Sequence, residues 1–109
     1  RMELAMQRES FLRRVFTEYE RNYAWGRNKQ AASSFAGIFS AKEACVKALS
    51  TGFRYGSWQD IEVTHDAWGA PVLTCKGYFR EQMKALGYET LQVSISHCRE
   101  YATSTVIVY

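Results

Sequence analysis

Glu43 and Lys47 stand four residues apart in the segment FSAKEACVKAL, residues 39–49, whose other residues are mostly apolar. In a helix, this spacing places both side chains on one face. An exposed ion pair, worth about 0.2–0.5 kcal/mol, would account for the two charges. A carboxylate beside an ammonium could equally hold a divalent cation and neutralise a phosphate. The pair alone leaves both interpretations open.

Two other short segments carry residues that could contact a ligand. Gly69-Ala70-Pro71 follows a strand-like segment, and His97 ends the strand-like segment Ser94-Ile95-Ser96. A plain tight turn explains the first segment. A hydrogen bond that ties down the final hairpin would explain His97. We predict that His65 is a solvated turn residue.

The composition limits the class of protein. A chain of 109 residues, 47% hydrophobic and 15% aromatic, predicts one domain over residues 1–109 with a single core. No apolar run is long enough for a membrane span, and no signal-peptide pattern opens the sequence. Cys45, Cys75 and Cys98 match neither a disulfide framework nor a zinc pattern, which favours thiols in a reducing cytoplasm. The net charge of +3 suits an anionic ligand or an acidic partner.

The hydrophobic periodicity predicts helices and hairpins that position these residues. Helices are expected over residues 8–21, from about 32 or 34 to 49, and over 77–86, with residues 22–34 mainly a loop or short helical turn. Strands are expected over residues 59–65, 72–75, 91–97 and 101–109. Because tight turns join the strands in pairs, we predict an α+β domain with helices packed on an antiparallel sheet.

In their order and spacing, these segments resemble one family, the holo-acyl-carrier-protein synthases, which are short 4′-phosphopantetheinyl transferases. Their helix motif, (F/W)-x-x-K-E-A-x-x-K-A, is matched by the segment from Phe39 to Ala48. STG, WQDIEV, GAPVL and VSISHCREYATSTVIV follow in the family's order, and FLRRVFTEYE resembles its first helix. The match extends over nearly the whole chain.

The resemblance implies an activity and a set of residues. The family transfers the 4′-phosphopantetheine arm of coenzyme A to a serine of an apo acyl carrier protein, with Mg²⁺, and releases adenosine 3′,5′-bisphosphate. By this resemblance Glu43 is the metal ligand and Lys47 a catalytic and coenzyme A-binding residue. His97 would contact a phosphate, and Gly69 and Pro71 would lie against the adenine and ribose. The implied setting is fatty-acid and lipid biosynthesis in the cytoplasm, by a homotrimer with active sites between subunits.

The sequence departs from the family pattern in two ways. The family's first strand, whose aspartate is a second metal ligand, is not included in the sequence that begins at Arg1, and we expect it to lie upstream of Arg1 in the natural protein. Family members usually carry arginine at Ile38 and lysine at Ala70, and both positions are associated with coenzyme A. We expect weaker binding of coenzyme A unless another cation substitutes; the candidates are Arg54, Lys76 and Arg99.

The first predicted helix could dock the acidic carrier protein. Arg14 and Arg21 are seven residues apart and would align on one helix, so we predict them as the docking pair, with Arg13 as a third contact. A solvated cationic face on an amphipathic helix is the alternative.

Two other functions compete with an active transferase. A degenerate homologue could hold coenzyme A or a carrier protein without turnover, which Ile38 and the absent aspartate favour and the Glu43, Lys47 and His97 set opposes. The second competing function is that of a small nucleic-acid-binding domain, but no RNP-like or GXXG signature supports it.

Overall fold

The computed structural model describes residues 2, 8–49, 56–97 and 101–109, and within them four helices and four strands. The helices are α1 (Glu9–Val15), α2 (Glu18–Gly26), α3 (Ala31–Ala48) and α4 (Gly77–Leu86), with 3-10 turns at Asn28–Gln30 and Trp58–Asp60. The strands are β1 (Ile61–His65), β2 (Pro71–Cys75), β3 (Leu91–His97) and β4 (Ala102–Val108). The predicted α+β class with antiparallel strands is confirmed.

The first predicted helix, residues 8–21, is wrong as a single element, because the chain bends between Val15 and Glu18. Thr17 adopts extended backbone angles and starts α2 with a capping box: its hydroxyl accepts from the Glu20 N–H at 3.2 Å, and Glu20 Oε1 accepts from the Thr17 N–H at 2.8 Å. The helix then continues to Gly26, through residues that were predicted to be a loop or a short helical turn.

Helix α3 is the central element of the domain. It packs against α2, β1, β3 and β4, and its inward face is almost inaccessible to solvent. The buried positions along it are Ala31, Phe35, Gly37, Ile38, Ala41, Lys42 and Cys45. On that face the Phe35 ring packs against Phe16, with ring centroids 4.8 Å apart and the planes tilted by 60°. The helix predicted from about residue 32 or 34 to 49 is confirmed within a few residues at each end.

Two antiparallel hairpins complete the core. In the first, β1 pairs with β2 from Ile61 opposite Cys75 to His65 opposite Pro71. In the second, β3 pairs with β4 from Leu91 opposite Val108 to His97 opposite Ala102. The residues of the predicted turn 98–100 lie outside the described part of the chain. Both predicted hairpins are present, and the first strand of each ends in a histidine, His65 in β1 and His97 in β3.

Helix α4 follows the first hairpin and covers part of the core. Its Phe79 and Met83 are buried, whereas Leu86 is exposed although it lies on the same predicted stripe. Gly87 ends the helix in the left-handed conformation, at φ 79°, as the sequence predicted.

Two of the three cysteines lie side by side in this core. Cys45 and Cys75 are buried thiols whose sulfurs are 3.6 Å apart, and Cys98 lies outside the described residues. The hydrogen bond between the two thiols and burial raise the pKa of Cys45. No helix in the described residues is long and apolar enough to cross a membrane.

Candidate active site

Lys42, which the motif supplies beside Glu43, is completely buried. It belongs to the inward stripe of α3, four residues after Ile38 and three before Cys45, so the helix geometry forces its side chain into the core. Its ammonium lies 2.7 Å from Glu20 Oε1, and Glu20 is equally inaccessible. This pair was not among the residues predicted from the sequence. A lysine on an otherwise apolar stripe is the signal that a buried acidic partner must exist.

The buried pair is fully hydrogen-bonded. Lys42 Nζ donates to the carbonyl oxygens of Val15 at 2.8 Å and Trp58 at 2.9 Å. Glu20 Oε2 accepts from the Val63 N–H at 2.7 Å, in addition to the capping bond at its other oxygen. Burial raises the pKa of Glu20 and lowers that of Lys42, and the attraction between the two groups opposes both shifts.

Glu43 and Lys47 lie on the outward face of the same helix and are both exposed. Glu43 lines a cavity of about 220 Å³ between α3 and the start of β4. The other residues of this cavity, which we call the Glu43 groove, are Met2, Ala36, Phe39, Ser40, Tyr101 and Ala102. Glu43 and Lys47 do not form an ion pair with each other in the described residues. The two charges therefore share a face, as predicted, with both head groups accessible to a ligand.

His97, at the end of β3, lies against the other side of α3. Its Nδ1 is 3.0 Å from the Ser33 hydroxyl. The ring approaches so closely that a Cβ at Gly37 would lie 2.8 Å from His97 Cε1. Glycine at position 37 is thus a steric requirement for this placement of His97. The contact with Ser33 also anchors the final hairpin, so both interpretations of His97 keep their support.

The prediction that His65 is a solvated turn residue is wrong. It is the last residue of β1, half-buried, and its ring stacks on Tyr23 with centroids 3.7 Å apart. The Tyr19 hydroxyl accepts from the His65 backbone N–H at 3.1 Å and lies 3.3 Å from His65 Nδ1. The Tyr19 hydroxyl thus contacts both the backbone and the ring of His65.

His65 and His97 line the same cavity, of about 410 Å³, which we call the two-histidine pocket. Its other lining residues are Tyr23, Arg27, Gln30, Ser33, Ser34, Gly37, Ile38 and Ile95. Burial lowers the pKa of His65, and the charge of Arg27 lowers it further, against the opposing effect of Asp66. Hydroxyl, amide, guanidinium and imidazole groups around one cavity make it suited to an oxygen-rich anion.

Ile38 lines this pocket, at the position where the resemblance leads us to expect arginine. Of the cations predicted as substitutes, Arg54 and Arg99 lie outside the described residues. Lys76 precedes α4 and is not among the lining residues. Among the described residues, Arg27 is the arginine that lines the pocket, and it was not one of the cations predicted as substitutes.

The turn with Gly69 and Pro71 lies at the end of the first hairpin. Gly69 adopts φ 84°, a left-handed angle that favours glycine, and Asp66 Oδ1 accepts from the N–H groups of Trp68 and Ala70 at 2.9 Å each. Pro71 pairs with His65. The turn has an adequate local explanation, and its position next to His65 also brings it close to the two-histidine pocket.

The two candidate cavities lie on different faces of α3. Ser33, Ser34, Gly37 and Ile38 line the two-histidine pocket, whereas Ala36, Phe39, Ser40 and Glu43 line the Glu43 groove. At about 100° per residue, the two sets are centred well over a quarter-turn apart. Within one chain the fold thus separates Glu43 from His97.

The three predicted docking arginines have different surroundings. Arg13 pairs with Glu9 at 3.0 Å on the exposed face of α1. Arg21 Nη1 donates to the Phe16 carbonyl at 2.6 Å. Arg14 lies over the Phe11 ring at 5.9 Å and is exposed. Because α1 ends before Arg21, the argument that Arg14 and Arg21 align on one helix is wrong.

The donor groups near Glu43 bear on the magnesium ion that the resemblance implies. In the described residues, no group of three histidine, cysteine or acidic side chains could hold a metal ion. Glu43 is the carboxylate of its groove. Mg²⁺ commonly takes one or two protein carboxylates and completes its shell with water and substrate phosphate oxygens. The donor set therefore fits an ion that is shared with a phosphate substrate.

Comparison with known proteins identifies the relatives of this chain. The model of the 4′-phosphopantetheinyl transferase superfamily matches residues 2–106. The holo-acyl-carrier-protein synthase of Caldanaerobacter subterraneus is 42% identical over 101 residues, which cover 93% of this chain and 79% of the relative. The enzyme of that name from Clostridium tetani is 43% identical over 109 residues, covering 99% and 86%.

A solved structure agrees with these sequence relatives. The crystal structure of Helicobacter pylori holo-acyl-carrier-protein synthase in complex with coenzyme A superposes with a TM-score of 0.80 at 32% identity. The match covers 99% of this chain and 90% of that one. The motif of α3, the two hairpins and these matches lead to one conclusion: the chain belongs to the 4′-phosphopantetheinyl transferase superfamily.

Proposed function

We propose that this protein is a holo-acyl-carrier-protein synthase, which transfers the phosphopantetheine arm of coenzyme A to a serine of an apo acyl carrier protein. The observation that carries the proposal is the exposure of Glu43 and Lys47 on one face of α3, while the neighbouring Lys42 is buried. Of the three charges in the motif, the fold neutralises one internally and leaves two accessible to a ligand. The family membership and the names of the relatives give the reaction.

The chemistry assigns a task to each exposed charge. The carrier serine oxygen attacks the phosphorus that bears the pantetheine arm, and the anhydride bond to the adenosine 5′-phosphate breaks. Negative charge grows on the leaving bisphosphate, and the ammonium of Lys47 can neutralise it. Glu43 would hold Mg²⁺, which supplies charge neutralisation and orientation to the phosphates when it is bound.

The nucleotide end of coenzyme A would occupy the two-histidine pocket. Arg27 offers a charge-assisted hydrogen bond, and His97 and His65 each offer a ring nitrogen. Gly69 and Pro71 belong to the hairpin that ends beside His65, which agrees with a position along the same ligand.

A homotrimer would unite the two cavities. One chain holds Glu43 and His97 on different faces of α3, so a single coenzyme A molecule that contacts both must bridge them. If neighbouring copies share a ligand, the Glu43 groove of one copy lies opposite the two-histidine pocket of the next. We therefore propose that each active site lies between two subunits.

Docking of the carrier protein is assigned mainly to Arg14. It is exposed beside Phe11, whereas Arg13 already pairs with Glu9 and Arg21 is bonded to a backbone carbonyl. Electrostatic steering of an acidic partner acts mainly on the rate of encounter. Arg21 and Arg13 are retained as secondary contacts of the same surface.

A second function, a binding module without turnover, is favoured by Ile38 in the two-histidine pocket, at the position where the resemblance leads us to expect arginine. One experiment separates the two functions. The protein is incubated with coenzyme A, an apo acyl carrier protein and Mg²⁺, and the carrier is weighed by mass spectrometry. A mass increase of one phosphopantetheine that depends on Mg²⁺ supports the transferase. Binding of coenzyme A with no change in carrier mass supports the binding module.

A further inference from the structure

The buried ammonium of Lys42 connects α3 to three other segments. A lysine ammonium has three N–H donors, and here each has a partner: Glu20 Oε1 in α2, the Val15 carbonyl at the end of α1, and the Trp58 carbonyl in the 3-10 turn before β1. Glu20 extends the connection to the Val63 N–H in β1. The pair thus fixes α3 relative to the rest of the domain.

Stability alone is a weak reason for this arrangement. An apolar pair of similar volume is often as stable as a buried ion pair, or more stable. An ion pair with three directed hydrogen bonds differs from an apolar contact in its orientation, because it tolerates only a narrow range of helix rotation. The arrangement therefore specifies how α3 is turned.

Glu43 is the residue next to Lys42, about 100° further around the helix. With Lys42 directed inward, Glu43 must face the groove that it lines. The radius of a helix with its side chains is about 5–6 Å, so a rotation of about 10° displaces the Glu43 carboxylate by roughly 1 Å. A displacement of that size in a catalytic group can cost about a hundredfold in rate.

We propose that Glu20 and Lys42 are a positioning pair, which sets the rotation of α3 and thereby the position of the Glu43 carboxylate. The inference rests on the proposed function, since it assigns the pair a task in the reaction carried out at Glu43. It makes Glu20, on α2, a determinant of catalysis although it contacts neither substrate.

The test replaces the charges and keeps the approximate volume, in the double variant Glu20→Gln with Lys42→Met. The matched control is Glu81→Gln with Lys84→Met, which removes an exposed ion pair of α4 by the same two substitutions. For each protein, circular dichroism reports folding, and steady-state kinetics give kcat and KM for carrier protein. Electron paramagnetic resonance gives the affinity for Mn²⁺, used as the probe ion, in the presence of coenzyme A.

The folded double variant is expected to bind Mn²⁺ about tenfold more weakly and to lose ten- to a hundredfold in kcat, with KM for carrier protein within twofold of the wild type. The control should match the wild type in every measurement. A folded double variant with wild-type Mn²⁺ affinity and kcat would overturn the proposal.

If the double variant does not fold, the single variant Glu20→Gln, which keeps shape and Lys42, is measured in the same way and judged by the same expected changes. Failure of both variants to fold would also overturn the proposal, because the pair would then serve folding. If the wild type itself shows no Mg²⁺-dependent transfer, the proposed function fails instead, and that result is distinct from the variant results.

Discussion

Gly37 is the position where a single methyl group should separate stability from function. The substitution Gly37→Ala would place a Cβ 2.8 Å from His97 Cε1 and 3.1 Å from both His97 Nε2 and Ile95 Cγ2. Carbon atoms in good contact are about 3.5–4.0 Å apart, so the imidazole must move by roughly 0.7–1.2 Å. His97 is exposed and can move away from α3, which carries Ser33, its hydrogen-bond partner.

The substitution should affect both stability and binding. Alanine in a helix interior gains about 0.5–1 kcal/mol over glycine, and overpacking costs about 1–3 kcal/mol, so the net loss of stability should be about 1 kcal/mol. In a domain of this size that lowers Tm by about 4–8 °C. The displacement of His97 should raise the Kd for coenzyme A about tenfold or more, since contacts in the two-histidine pocket depend on its position.

Calorimetry measures both quantities, Tm by scanning and Kd by titration with coenzyme A. Gly26→Ala is the control, because a Cβ there meets no atom within 4 Å. A His97→Asn variant tests whether Gly37→Ala acts through His97. If it does, adding Gly37→Ala to His97→Asn should weaken coenzyme A binding only a little further. Wild-type affinity for coenzyme A in Gly37→Ala would refute the reasoning.

Three further predictions concern other parts of the site. Glu43→Gln should reduce transfer at least a hundredfold with an unchanged circular dichroism spectrum, and near-normal rates at saturating Mg²⁺ would contradict its role as metal ligand. Lys47→Ala should lower kcat more than it raises KM for coenzyme A. An unchanged rate constant for transfer in single-turnover kinetics would show that Lys47 has no catalytic role. Arg14→Glu should raise KM for carrier protein severalfold and flatten the salt dependence of that KM. The same charge change at exposed Arg80 is the control and should have neither effect. Equal effects of Arg14→Glu on KM for carrier protein and for coenzyme A would place the docking surface elsewhere.

The acid sensitivity of the fold gives one more prediction. Because burial lowers the folded-state pKa of His65, the unfolded chain takes up the proton first as the pH falls. The contribution of His65 to stability is therefore present above about pH 6.5 and is lost below it. Urea unfolding at a series of pH values should show a shallower loss of stability between about pH 7 and 5.5 in His65→Gln. An identical pH slope in wild type and variant would contradict the packing of His65.

Local features were predictable where neighbouring residues determine them. Alternation and turn residues identified both hairpins, and helical periodicity identified α3 and α4, since these patterns depend on contacts a few residues apart. The break between α1 and α2 was also readable, because Thr17 and Glu20 form a capping-box pattern that the apolar stripe through Phe16 concealed. The motif around Glu43 and Lys47 placed the chain in its family.

The sequence by itself therefore determined most of the elements, the family and the two charges that share a face of α3. Tertiary structure alone decided which charge of the motif is buried, which partner neutralises it, and which residues surround His97. Lys42 meets Glu20, and His65 meets Tyr19, across separations of 22 and 46 residues. Such pairs follow from how helices and hairpins pack, and a one-dimensional pattern carries no record of the distance between elements that are far apart along the chain.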